Sequence, residues 1–159
     1  MGAGSRAFIG LVLLVSSYCA YKLASQEFWD WRVRRMCAAE GGVKVFVPEK
    51  IRIAPRFVRG GVIRPPVRID DGTVNKAPWE YREGDPYFVR TYSETIHGGD
   101  PTVGRSTTEV VRTADNFVLG RGVMFGRYGG DLISIDSHSQ FLCPGGGVET
   151  SVINAVFTQ

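Results

Sequence analysis

The side chains best suited to acid–base or metal chemistry in this 159-residue chain are its two histidines, each close to a carboxylate. Glu94 lies three residues before His97, and Asp136 lies two before His138. Imidazole and carboxylate together can bind zinc, and the same pair can move protons in an exported enzyme. Both histidines occur in polar, turn-like contexts, where exposure to solvent is the ordinary expectation. We therefore predict no metal site and no catalytic residue, and keep an exported enzyme using these groups as an alternative.

A glycine-rich segment from Gly120 to Gly130 invites comparison with phosphate-binding loops. Its spacing matches neither G-x-G-x-x-G nor G-x-x-x-x-G-K-[ST], and no helix pattern follows it. Bulges or close packing between strands explain these glycines better. We predict no bound cofactor.

Cys37 and Cys143 are the third candidate for chemistry. Cys37 directly follows an aromatic and basic segment, and Cys143 follows the last predicted strand. A disulfide between them would tie the C-terminal region to the base of the domain, and the chain-entropy model values it at about 4 to 5 kcal/mol. The alternative is two unpaired thiols in a cytoplasmic domain. We predict the disulfide.

A basic stripe between residues 44 and 68 holds seven positive charges against one negative charge, Glu49, a local net of +6. One interpretation is that these side chains lie on solvated faces of strands and loops and are balanced by later carboxylates. The other is that they contact anionic headgroups or acidic polymers of the envelope. The predicted contact residues are Lys44, Lys50, Arg52, Arg56, Arg59, Arg64 and Arg68.

The net charge divides unevenly along the chain. Residues 1–36 hold five basic and two acidic side chains, whereas residues 37–159 hold 14 of each. The whole basic excess of +3 therefore belongs to the N-terminal segment, where it indicates topology and lipid contact. A nucleic-acid partner is accordingly not expected.

An apolar segment precedes all of these residues. From Ala7 to Tyr21 there are 15 residues without a charge, whereas a spanning helix needs about 20. Three interpretations account for the shortfall: a cleaved signal peptide, a lipoprotein acylated at Cys19, or a retained span that reaches Gln26 while Lys22 snorkels. We predict the retained span.

An aromatic and basic collar follows the apolar segment and favours a retained anchor. Trp concentrates at the headgroup level, and Arg beside it can reach lipid phosphates. The alternative is that these aromatic residues are the first core residues of the following domain. The predicted membrane-interface residues are Lys22, Phe28, Trp29, Trp31, Arg32, Arg34 and Arg35.

The remaining sequence predicts a small, mainly antiparallel β domain, so that the fold class is α+β. The anchor helix should end near Ala39, before Gly41-Gly42, and the domains are residues 1–36 and 37–159. Four prolines between Pro48 and Pro86 favour loop there, with short extended pieces such as Arg56 to Arg59 and Val67 to Ile69. The predicted strands are Val43–Val47, Tyr87–Ile96, Thr102–Arg112, Phe117–Tyr128 and Leu132–Ile135, and a short helix is predicted at Val148–Phe157.

The stretch from Cys37 to Val45, with the later Cys143-Pro144, resembles small uncharacterised bacterial membrane-anchored envelope proteins. Those proteins combine an N-terminal membrane segment, a Cys-Ala-x-x-Gly-Gly-x-x-Val stretch and a late Cys-Pro. The resemblance implies a bacterial source and supports pairing of the two cysteines. It implies no activity.

Orientation is the point on which the signals conflict. One basic side chain, Arg6, precedes the apolar segment and four follow it closely, a count that would keep the domain in the cytoplasm. The signal-like N-terminus and the cysteine pair favour export. We predict a helix in the bacterial inner membrane and a periplasmic C-terminal domain that binds a protein or envelope partner without catalysis. A cytoplasm-facing module that binds lipid or nucleic acid through residues 44–68 is the alternative.

Overall fold

The computed structural model describes residues 3–68, 80–132 and 139–159, with side chains described from residue 8 onward. A 3₁₀ turn, Pro55–Phe57, lies within the proline-rich part of the chain. The other described elements in chain order are α1 (Ala3–Glu40), β1 (Gly42–Val45), β2 (Ile51–Arg52), β3 (Val58–Arg59), β4 (Val62–Ile63), β5 (Tyr87–His97), β6 (Thr102–Arg112), β7 (Val118–Tyr128), β8 (Gln140–Cys143), α2 (Val148–Val156) and β9 (Phe157–Thr158). The predicted α+β class is confirmed.

The centre of the domain is an antiparallel sheet in the order β1-β7-β6-β5. β5, β6 and β7 form the predicted meander, because their β-branched and aromatic residues suit extended chain and short turns join them. β1 pairs with the first half of β7, and β8 pairs with its second half. The long strands therefore run from one end of the domain to the other.

The turn between β6 and β7 is closed by a local ion pair. Arg112 donates from Nε and Nη2 to the two oxygens of Asp115, at 2.9 and 2.7 Å, and the backbone N–H of Phe117 donates to Asp115 at 3.2 Å. Asn116 adopts the left-handed conformation, φ 55°, that asparagine tolerates. These hydrogen bonds, chiefly the one from Arg112, lower the pKa of Asp115 to about 2.

One face of the sheet packs against α2. Val152, Val156 and Phe157 are fully or almost fully buried there with Val110 and Leu119 of the strands. The chain after α2 continues as β9, which pairs in parallel with β2 and so holds the proline-rich segment to the domain. The predicted C-terminal helix is confirmed.

Two glycines of β7 let α2 approach this closely. A Cβ at Gly120 would lie 2.5 Å from Cγ2 of Val156, and one at Gly122 would lie 2.6 Å from Cγ1 of Val148. Close packing between strands was predicted for these glycines, but the neighbour that approaches Gly120 and Gly122 is helix α2.

The opposite face packs against the second half of α1. Val33 and Cys37 of the helix are buried with Val103, Val123 and Phe125 of the strands. The domain therefore has an apolar core on each side of one sheet, and α1 is part of the fold as well as a candidate anchor.

Three local predictions need comment. α1 ends at Glu40, close to the predicted Ala39. The proline-rich segment contains short strands, β2 to β4, where mostly loop was expected. The predicted strand from Leu132 to Ile135 falls largely outside the described residues, and Leu132 itself is not in a strand.

Candidate functional site

The first half of α1 is an apolar surface without a partner among the described residues. Phe8 is 68% exposed, Leu14 is 72% exposed and Tyr21 is 69% exposed. By length and composition α1 can cross a membrane, a property that it shares with signal sequences. Fourteen residues from Phe8 to Tyr21 span about 21 Å at ~1.5 Å per residue.

Packing against the sheet begins at Lys22. Its ammonium lies 2.5 Å from Oδ2 of Asp100, which belongs to the turn between β5 and β6. Lys22 was predicted to snorkel within a longer span, but here its charge is paired with the sheet domain. The turn containing Asp100 therefore lies at the point where the apolar half of α1 ends.

The aromatic and basic collar divides into an inner and an outer side. Trp29 faces inward and stacks on His97, with ring centroids 4.1 Å apart, so this partly buried tryptophan packs against the core of the domain. Phe28 and Trp31 are 49% and 51% exposed on the outer side. The inward side of the collar thus fits the alternative of core residues, and the outer side fits the alternative of membrane-interface residues.

The collar arginines lie against aromatic rings. The guanidinium of Arg32 is 5.2 Å from the Trp29 ring centroid and 5.9 Å from that of Phe28. Arg35 lies 5.5 Å from the Trp31 ring, and Arg34 lies 5.1 Å from Phe141 of β8. The predicted membrane contact of these residues stays a prediction.

A buried ion pair joins the same part of α1 to β7. Asp30 Oδ1 lies 2.5 Å from Nε of Arg127, and the side chain of Arg127 is 3% exposed. Arg127 also donates to the carbonyl oxygen of Gly129 and, at 3.1 Å, to Oγ of Ser139. The guanidinium is therefore satisfied on several sides, as burial of a charge requires.

Cys37 and Cys143 are bonded, as predicted. The sulfur atoms lie 2.08 Å apart and the Cα atoms 5.8 Å apart, across a sequence separation of 106 residues. The bond links the end of α1 to the end of β8. Such a disulfide indicates an oxidising compartment. Cys19, in the apolar half of α1, is unpaired.

The two histidines are not brought together by the described structure. His97 is occupied by its stack on Trp29, and Glu94 lies 3.6 Å from Arg105. His138 and Asp136 lie outside the described residues. Within the described ranges, no three His, Cys, Asp or Glu side chains are grouped so that they could hold a metal ion.

The basic stripe separates into two groups. Lys44, Lys50 and Arg52 are exposed on β1, β2 and the segment between them, and Arg68 lies 5.3 Å from the Phe88 ring. The other group lines a cleft of about 230 Å³, which we call the arginine cleft. Its charged lining residues are Arg56, Arg59, Arg64, Glu80, Arg82 and Asp85.

Arg82 was missed by the sequence analysis, and Asp85 was expected only as one of the later carboxylates that balance the basic stripe. They follow the basic stripe by more than a dozen residues, and the pairing of Val67 with Glu80 and Val89 brings the two segments together. The sequence around Asp85 contains a local signal for a turn, because an acidic residue between Gly84 and Pro86 is typical of one.

A second charged group, also missed, crosses the sheet on the α1 face. Glu109 is 1% exposed and lies between Arg90, whose Nη2 is 2.7 Å away, and Arg121, whose Nε is 2.7 Å away. Lys44 is the next residue of this row, opposite Arg121. Charged residues in the middle of the predicted strands were a sequence signal for this group. Which of these residues lie opposite one another depends on the register of the strands.

The arginine cleft lies at one end of β5. The exit of α1, meaning the point near Lys22 where α1 leaves the sheet domain, lies at the other end. Tyr87, the first residue of β5, follows Asp85 of the cleft by two positions, whereas His97, the last, stacks on Trp29. Eleven extended residues cover about 33 Å at ~3.3 Å per residue. The cleft is therefore far from the bilayer that α1 would enter.

Comparisons with protein-family models, with curated proteins and with solved structures found no match to this chain. The resemblance to bacterial envelope proteins therefore stays a prediction.

Proposed function

We propose that this chain is a membrane-anchored protein of the bacterial envelope whose sheet domain is a non-enzymatic binding module outside the inner membrane. The observation that carries the proposal is the continuity of α1. One unbroken helix has an apolar, exposed first half and a second half that is packed, ion-paired and disulfide-linked to the sheet. A domain joined in this way would be held in a defined orientation at the membrane.

The compartment is supported by the disulfide between Cys37 and Cys143. Thioredoxin and glutathione keep most cytosolic thiols reduced, whereas the periplasm is oxidising. This favours an exported domain over the cytoplasm-facing alternative, even though more basic residues follow the apolar segment than precede it.

A binding role is favoured over catalysis by the positions of the candidate groups. The ring of His97 is used in packing against Trp29, and its neighbour Glu94 lies near Arg105. The arginine cleft is an open, charged cavity that could receive a ligand.

Membrane fractionation tests the anchor. The full chain should remain with membranes in alkaline carbonate and should enter solution only with detergent. Leu14→Arg places a charge in the exposed apolar half of α1 and should release the protein, whereas Tyr92→Arg, at an exposed position of β5, should not. Carbonate extraction of the unmodified chain would contradict the proposal.

Thiol labelling tests the compartment. A membrane-impermeant maleimide added to intact cells with the outer membrane permeabilised should label Cys37 and Cys143 only after reductant is added. If both cysteines react from the cytoplasmic side without reductant, the exported orientation is wrong. Mass spectrometry of the same sample shows whether residues 1–36 are retained.

A further inference from the structure

We propose that the arginine cleft binds a phosphate group of a ligand outside the bilayer that α1 enters. The inference deepens the proposed binding role and rests on it for the position of the cleft. The cavity of about 230 Å³ is large enough for a phosphate with part of the molecule that bears it, and it lies at the end of β5 remote from the apolar half of α1.

The types of the lining residues favour an oxyanion. Every basic residue in the described part of the lining is arginine, namely Arg56, Arg59, Arg64 and Arg82. A guanidinium presents a planar fork of donors that matches carboxylate and phosphate oxygens, and it stays charged at all relevant pH values.

The charge balance favours phosphate over a single carboxylate. Among the described lining residues, four arginines and two carboxylates, Glu80 and Asp85, sum to a net charge of +2. A phosphate monoester carries between about −1.5 and −2 near neutral pH and has three acceptor oxygens that can serve several guanidiniums at once. One carboxylate carries a single negative charge on two acceptor oxygens, so it neutralises less of the positive charge of the lining.

Asp85 organises one wall of the cleft. It accepts from Nη2 of Arg56 at 3.1 Å and from the backbone N–H of Arg82 at 2.9 Å, and its side chain is 11% exposed. Its carbonyl oxygen accepts from Oγ1 of Thr113 at 2.6 Å, which ties the wall to the β6–β7 turn. Arg56 also lies over the Phe57 ring, 4.6 Å from its centroid. Fixing these groups before binding lowers the entropic cost of capturing the anion.

The position of the cleft excludes the headgroups of the chain's own membrane as the ligand. β5 extends about 33 Å between the cleft and the exit of α1, whereas headgroup regions add only some 5 to 8 Å to each side of the hydrocarbon core. The phosphate must therefore come from a soluble compound, a polymer or a facing surface.

The test uses the full, disulfide-bonded chain in phosphatidylcholine nanodiscs, with sodium tripolyphosphate as the soluble probe in calorimetric titrations. Arg59→Gln with Arg82→Gln should weaken binding about tenfold or more, because charge-assisted bonds are lost. Arg112→Gln removes a positive charge at a partly exposed position outside the lining and should leave binding unchanged. Weakening by this variant as large as that caused by Arg59→Gln or Arg82→Gln alone would show general attraction and overturn the site.

Two further binding measurements identify the source of the phosphate. Vesicles of phosphatidic acid, whose headgroup is a phosphate monoester, report a facing lipid surface when they are added to the nanodiscs. Retention there with no response to tripolyphosphate would restrict the ligand to lipid phosphate. Poly-L-glutamate that binds more tightly than tripolyphosphate would overturn the phosphate assignment in favour of an acidic protein. Incorporation into nanodiscs is scored separately, so that failure of the cleft and failure of the anchor are distinguished.

Discussion

Asp30 of α1 and Arg127 of β7 form an ion pair in the core between the helix and the sheet, with 2.5 Å between Oδ1 and Nε. Their side chains are 14% and 3% exposed. The pair lies 97 residues apart in sequence and joins the candidate anchor to the most central strand.

Removing one partner of this pair should destabilise the domain strongly. Asp30→Asn leaves the guanidinium of Arg127 buried without a counter-charge, so we expect a loss of about 3 to 5 kcal/mol in the free energy of unfolding. The measurement is urea unfolding of the full chain in detergent micelles, followed by near-ultraviolet circular dichroism.

The matched control for Asp30→Asn is Glu27→Gln on the same helix. Glu27 lies 3.8 Å from Arg34 with both side chains exposed, and such pairs contribute between zero and about 1 kcal/mol. Similar losses in the two variants would mean that burial does not distinguish these pairs.

Opening the disulfide should also lower stability. Cys37→Ser with Cys143→Ser should lose about 2 to 5 kcal/mol, because the unfolded chain regains the freedom that a 106-residue separation restricts. Reductant should shift the unfolding midpoint of the unmodified chain in the same direction. Cys19→Ser, at the unpaired cysteine, should leave the midpoint unchanged in both conditions.

Gly120→Ala should destabilise the contact between β7 and α2. The new methyl group would lie 2.5 Å from Cγ2 of Val156, and overpacking of this kind costs about 1 to 3 kcal/mol. Gly98→Ala, in an open turn, is the control and should have little effect. If the clash is the cause, adding Val156→Ala to Gly120→Ala should cost less than the sum of the two single changes.

The β6–β7 turn should contribute a pH-dependent stability through Asp115. Arg112 lowers the pKa of this carboxyl from 3.8 to about 2 in the folded chain. The folded state thus favours the ionised form, and the contribution is complete above the unfolded value and is lost as pH falls from about 4 through 2.

The measurement is the thermal midpoint of the unmodified chain and of Asp115→Asn between about pH 6 and pH 2. This range extends about two pH units to either side of the unfolded pKa. The difference between the two proteins should shrink as pH falls. A difference independent of pH would contradict the role of the ionised carboxyl.

Much of the fold was predictable because its signals are local. The uncharged run before Tyr21, the glycines after Glu40 and the three runs of β-branched and aromatic residues each specify an element within a few neighbours. The cysteine pair was predictable for a different reason, since Cys37 follows the anchor, Cys143 follows the last predicted strand, and the third cysteine, Cys19, lies within the apolar run.

The site was less predictable because its members come from separate segments. Arg82 and Asp85 join the arginines of the basic stripe only through the bridge of Val67 to Glu80 and Val89. The sequence allowed Trp29 to be a membrane residue or a core residue, and its stack on His97 shows that it packs against the core.

The sequence by itself determined the class of the fold, the apolar half of α1 and the location of the basic excess, since composition and short-range periodicity are enough for each. Only the tertiary structure decided which charges meet. Asp30 forms an ion pair with Arg127, Lys22 forms one with Asp100, and Glu109 lies between two arginines. These pairings depend on strand order, register and the docking of α1, and a shift of one residue would turn the side chains of a strand to the opposite face of the sheet.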